Sequence, residues 1–259
     1  MHARAETVQT SGRARRPWRG LAAAVSLLTI VPVPVTADAG LASAAGWFPL
    51  VGAAVGAFAG GVRVGCEPLV GRTVATVLAM IVLVLVTGAL HLDGLADTAD
   101  GMGARGDVRR RLEVMRDSAT GVYGTLAVVA WALLMLTAVA SLDADRALRA
   151  LIAAGALARL AALLHAAGTR PARADGLGAA FGAPRPALIA GTATAVAVAL
   201  AVCGAYPGAV AVGATLLVSA ASVVFARRTL GGRTGDTLGA TVALAEAAVC
   251  TVLLSVWLP

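Results

Sequence analysis

Lysine is missing from this sequence; all 21 basic residues are arginine. A GC-rich codon preference, which also favours Ala and Gly, explains that choice best, although arginine does suit bidentate contact with phosphate. Aromatic residues make up only 4% of the chain, and this, with the lack of β-branched and aromatic alternation, excludes a membrane β-barrel. Three cysteines, Cys66, Cys203 and Cys250, are far apart and unaccompanied by histidine. They provide neither a disulfide framework nor a zinc site. Charge is sparse at 14% against 59% hydrophobic residues, and a mean hydropathy of +0.84 excludes a water-soluble globule. What remains is a small-residue, all-α polytopic membrane protein.

A bilayer core about 30 Å thick requires about 20 mostly apolar residues per helix. Seven runs qualify, near 47–64, 73–92, 121–140, 147–167, 187–206, 208–225 and 238–258, with Pro207-Gly208 dividing the fifth from the sixth. Arginine orients them, because short cytoplasmic loops hold the positive excess. With the N-terminus inside, that side collects the arginines before the first run, from Arg105 to Arg116 after the second, from Arg170 to Arg185 after the fourth, and from Arg227 to Arg233 after the sixth. The other side receives Arg63, Arg72, Arg146 and Arg149. The expectation is N-in, C-out, in a bacterial inner membrane. Residues 1–20 read as an Arg-rich, disordered cytoplasmic tail attracted to anionic lipid, and 21–259 as one integral-membrane domain. The apolar run 21–31 ends at Pro32 and Pro34, too short to span, and reads as a surface or re-entrant helix rather than a secretory signal.

The cytoplasmic loops hold most of the acids. In His91-Leu92-Asp93-Gly94-Leu95-Ala96-Asp97-Thr98-Ala99-Asp100-Gly101, a continuing helix places Asp93, Asp97 and Asp100 on one face. Three such carboxylates near a low-dielectric boundary need a proton or a cation. Oxygen-only donors favour Mg²⁺ or Mn²⁺ over zinc. A short amphipathic helix follows, carrying Glu113, which reads as a surface partner of Arg109, and Asp117, placed where the chain re-enters the membrane. Gly-rich turns around Asp175 and Asp236 share this side and suit an anion. Within the spans, Arg159 and Glu246 read either as an ion pair or as the lining of a polar cleft. His165 reads as interfacial, and Gly52, Gly56 and Gly60 as helix-packing contacts.

Four segments together resemble the adenosylcobinamide-GDP ribazoletransferases, the membrane-bound cobalamin synthases. They are 91–101, Met115-Arg116-Asp117-Ser118-Ala119-Thr120-Gly121-Val122-Tyr123-Gly124, Gly176-Leu177-Gly178 and Gly231-Gly232-Arg233-Thr234-Gly235-Asp236-Thr237-Leu238-Gly239-Ala240. The likeness runs from about Leu27 to the C-terminus. Ile30 stands where that family often has arginine, Ala243 stands where it tends to carry a polar residue, and residues 1–20 match nothing.

The resemblance implies transfer of α-ribazole, or its 5′-phosphate, to adenosylcobinamide-GDP with loss of GMP. It also implies an Mg²⁺ site (with Mn²⁺ as substitute) formed by Asp93, Asp97, Asp100 and Asp117. Asp97, Asp117 or, less favourably, His91 would take the hydroxyl proton, while Arg105, Arg116, Arg173, Arg233 and the Asp236 turn would hold phosphates. Membrane lipid is the other expected contact; nucleic acid is not, and a homo-oligomer is left open. Three alternatives compete. A CDP-alcohol phosphotransferase motif fails where Asp97 and Arg110 stand. A divalent-cation transporter should place acids at mid-bilayer, where only Glu246 lies. A non-catalytic scaffold would bind cobinamides without turnover.

Overall fold

The computed structural model describes residues 17–35 and 41–258. In chain order they form α1 (Pro17–Leu28), α2 (Leu41–Ala44), a 3-10 turn (Ala45–Trp47), α3 (Phe48–Val86), α4 (Leu90–Gly103), α5 (Val108–Val114) and α6 (Val122–Ala140). These are followed by α7 (Ala144–Gly168), α8 (Leu177–Ala180), α9 (Arg185–Cys203), α10 (Ala205–Thr229) and α11 (Gly235–Trp257). Among the described residues no strand forms; Pro171 and Arg233 make an isolated bridge. Of the expected tail 1–20, residues 1–16 lie outside the described residues, and residues 17–20 belong to α1. That helix has 12 residues, or about 18 Å, which is short of a bilayer.

Among the described residues six helices are long and apolar enough to cross a membrane, where seven runs were expected; the first two runs are joined in one helical stretch, Leu41–Val86. Within it Pro68 removes a backbone donor, and Gly71 adopts φ 77°, ψ 166°, a conformation open to glycine. The chain reverses there. Phe48 and Leu90, which flank α3, line the same cavity, and the amide of Ile30 bonds to the carbonyl of Val86. Gly60, further along the first limb, instead meets Leu148 near the start of α7. The second limb ends at Val86 rather than near residue 92, because Thr87, Gly88 and a left-handed Ala89 (φ 59°) turn the chain into α4. Gly94 and Gly101 do not interrupt α4.

Helix starts follow from local chemistry. Asp107 and Asp143 accept from the amides of Arg110 and Arg146, both at 2.9 Å, and Thr234 with Thr237 closes a capping box at α11. The Ala-rich α7 is the central post: 78% of its most apolar stretch is buried, against 22% for α9. Small residues let backbones touch it. A Cβ on Gly52 would sit 2.1 Å from the carbonyl oxygen of Gly155, and one on Gly56 2.1 Å from that of Leu151. One prediction follows from this contact. Gly155→Ala should cost about 1–3 kcal/mol as overpacking, read as a lower melting temperature in detergent. Gly61→Ala, which meets open space, should be neutral or stabilising.

Candidate active site

The site begins with a second glycine contact. Where α4 crosses the start of α11, a Cβ on Gly94 would lie 2.6 Å from the carbonyl oxygen of Asp236, and one on Gly239 would lie 3.2 Å from that of Leu90. The touching backbones bring Asp93 and Asp97 of α4 up to Asp236 in the first turn of α11. Burial, and then the charges of Asp93, Asp236 and Asp100, push the Asp97 carboxyl up to about 6, with Arg173 opposing them. Asp93 and Asp236 line a cavity of about 340 Å³ together with His91, Arg116, Arg159, Arg173 and Asp175. Its apolar wall includes Leu27 and Leu28 of α1, Phe48, Phe181 and Val242. Phe48 and Phe181 stack at 5.2 Å, 7° from parallel.

Arginines balance these acids. Arg173 donates to Asp236 at 2.9 Å, and Arg116 grips both oxygens of Asp175 at 2.7 and 2.8 Å. Arg159 is buried against Glu246 in a close ion pair and also lines the cavity, so the pair forms and its arginine serves the polar cleft as well. The same guanidinium stands 3.4 Å from Nδ1 of His91. A guanidinium carries only donors, so Nδ1 must accept, and the neutral ring keeps its hydrogen on Nε2. Burial, and then the charge of Arg159, hold His91 well below the usual histidine range. It is therefore a neutral hydrogen-bond donor at the cavity rather than a proton acceptor.

Other residues singled out by the sequence are placed differently. Both oxygens of Asp100 receive backbone hydrogens, from Gly121 at 2.7 Å and Gly124 at 2.8 Å. This carboxylate caps α6, and added Cβ atoms at either glycine would collide with it. Asp117 is exposed, accepts from the Ala119 amide at 3.0 Å, and stands in the loop between α5 and α6. Arg233 is buried and gives its guanidinium to the carbonyls of Ala166, Thr169 and Phe181. It ties the end of α7 to the loops beside the cavity. Arg105 is exposed and has no hydrogen bond or ion pair among the described residues. Glu113 pairs at the surface with Arg109 and Arg110. Asp236 stands among the acids, where a phosphate would be repelled without a cation between them.

Among the described residues no three His, Cys, Asp or Glu side chains form a ready-made metal cage. Mg²⁺ does not require one; it is commonly held by one or two carboxylates, with substrate phosphates and water completing the shell. Burial and then the neighbouring carboxylates raise Asp97, so a cation among these oxygens would be favoured, and this donor set fits such an ion. The sign of the pH dependence follows. A carboxyl raised to about 6 from its ordinary 3.8 binds more protons folded than unfolded, so its contribution to stability fades as pH rises from about 4 to about 6. The metal-free protein should melt lower across that window. Asp97→Asn should reduce that slope, which a thermal series at stepped pH would measure.

Fold and site define the class: a multi-pass helical membrane protein with one end that gathers acids and arginines around a cavity suited to phosphate chemistry. The chain belongs to the cobalamin-5-phosphate synthase family, whose model matches residues 20–254. It is 42% identical over 210 residues to an adenosylcobinamide-GDP ribazoletransferase of Azorhizobium caulinodans, covering 77% of this chain and 79% of the relative. Proteins of the same name from Escherichia coli K12 and Sinorhizobium medicae are each 37% identical, over 90% and 92% of this chain and 98% and 97% of their own. No solved structure matches the chain.

Proposed function

We propose that this protein makes adenosylcobalamin, or its 5′-phosphate, by joining α-ribazole, or correspondingly its 5′-phosphate, to adenosylcobinamide-GDP with release of GMP, at the cytoplasmic face of a bacterial inner membrane. The observation that carries the reading is the meeting of Asp93, Asp97 and Asp236 at the α4–α11 crossing, beside Arg173, in a family whose relatives bear that enzyme's name. The arginine excess at the same end of the helices supports the cytoplasmic assignment.

In the reaction a ribose hydroxyl oxygen forms a bond to the phosphorus attached to cobinamide, and the bond from that phosphorus to GMP breaks. Asp93 and Asp236 face the cavity and would hold Mg²⁺; bound there, the ion would neutralise charge on the diphosphate and the departing GMP. Asp97, one turn from Asp93, accepts the hydroxyl proton, since a carboxyl titrating at about 6 is well matched to neutral pH. Asp117, exposed in the loop before α6 and away from the α4–α11 crossing, is the weaker candidate. Arg173, now on Asp236, would orient phosphate oxygens, and His91 donates from Nε2. The apolar wall at Phe48 and Phe181 suits a flat aromatic base. A cation pathway gains no support, because Glu246, the mid-span acid, is already paired with Arg159.

The test is purified protein in detergent with adenosylcobinamide-GDP, α-ribazole and Mg²⁺, scored for GMP. Asp93→Ala and Asp236→Ala should each lower turnover at least about a hundredfold, about 2.7 kcal/mol in barrier. Asp97→Asn should lower kcat with KM little changed and flatten the rise in rate through pH 6. Asp100→Ala should instead cost about 1 kcal/mol of stability as a lost cap while leaving the chemistry largely intact. Near-normal turnover by both Asp93→Ala and Asp236→Ala would refute the assignment.

A further inference from the structure

A second cavity, about 770 Å³, lies on the other side of α4 and α11 from the acidic one. Along α11, Asp236, Gly239 and Val242 face the first cavity, whereas Thr237, Thr241 and Leu244 face the second. The second is a groove, with α6 and α10 flanking α11. It runs from Thr98 and Thr237 to Ser255, roughly 18 residues along α11, or about 27 Å of helix, close to the thickness of the hydrocarbon core. No charged side chain lines it, so a phosphate ester would enter it unpaired at high cost. Leu244, on an otherwise well-covered helix, is 47% exposed there. The groove is open to lipid.

One polar group is left unfinished in this wall. His165 is fully buried, and its Nδ1 lies 2.8 Å from Oγ1 of Thr241. The Thr241 hydroxyl hydrogen is already given to the carbonyl of Thr237 at 2.7 Å. Thr241 must therefore accept from Nδ1–H, and the neutral ring, which belongs to the groove lining, is left with a bare lone pair on Nε2. That atom has no partner among the described residues, and an unmet buried acceptor is costly. His165 stands one turn from the end of α7 at Gly168, at the level of the acidic end, with the charge-free groove running away from it.

We propose that this groove holds one membrane amphiphile: an apolar chain lying along α11, with a hydroxyl or N–H donor at its head seated on Nε2 of His165. Chain length, absence of charge and the waiting acceptor all select that chemistry over a nucleotide or corrinoid.

The experiment uses two chain-matched probes on the full protein in detergent, oleyl alcohol with a donor and methyl oleate without one, counted by native mass spectrometry and equilibrium binding. Oleyl alcohol should saturate at one per chain, and methyl oleate should bind about tenfold more weakly, the size of a hydrogen bond inside a membrane. His165→Phe should bring oleyl alcohol down to the methyl oleate level, and Val218→Trp, which fills the groove from α10, should remove both. The probe comparison on the unaltered protein does not depend on any variant folding. No saturable binding, equal binding of the two probes, or undiminished oleyl alcohol on a folded His165→Phe protein would overturn the proposal.

Discussion

The backbone contact between α4 and α11 governs the chemistry of this protein. Glycine at 94 and at 239 lets two helices meet without intervening side chains, and only at that separation do acids on separate helices share one field. Burial of the crossing adds to the cost of assembling like charges, and Arg173 opposes it. A methyl group at Gly94 would have to enter the space of the Asp236 carbonyl, so the contact sets both the packing and the electrostatics of the cavity.

Arginine performs three separable tasks around this point. Arg159 lies inside the bundle, neutralised by Glu246, and fixes the hydrogen of His91 on the nitrogen that can serve the cavity. Arg233 gives its donors to carbonyls that a helix end and a loop would otherwise leave bare. Arg116 and Arg173 hold acids at the rim through contacts a phosphate could replace. The fork-shaped guanidinium suits all three, since each needs several donors held in one plane.

Much of this was readable in the sequence, because hydropathy and periodicity report the bilayer and the helix directly. The apolar runs, the single helical face of Asp93 and Asp97, and the Gly52–Gly60 packing stripe are of this kind. The parts that were not readable depend on partners without a side-chain signature. Asp100 shares that acidic face but is bound by the amides of Gly121 and Gly124, and amides are the same at every residue. Arg233 answers carbonyls for the same reason. Ala89 in a left-handed conformation ends a span that composition alone would have continued, because alanine rarely adopts it. Asp236 belongs beside Asp97 only once two glycines, far apart in sequence, are known to touch.

The most direct measurement is an experimental structure of the protein with Mn²⁺ and a non-hydrolysable diphosphate, using the anomalous signal of the metal. The account predicts one strong peak between Asp93 and Asp236, with Asp97 adjacent and Asp100 still bound to the α6 amides. A peak at Asp100 and Asp117 with Asp236 remote from it, or no ordered metal at this crossing, would contradict it.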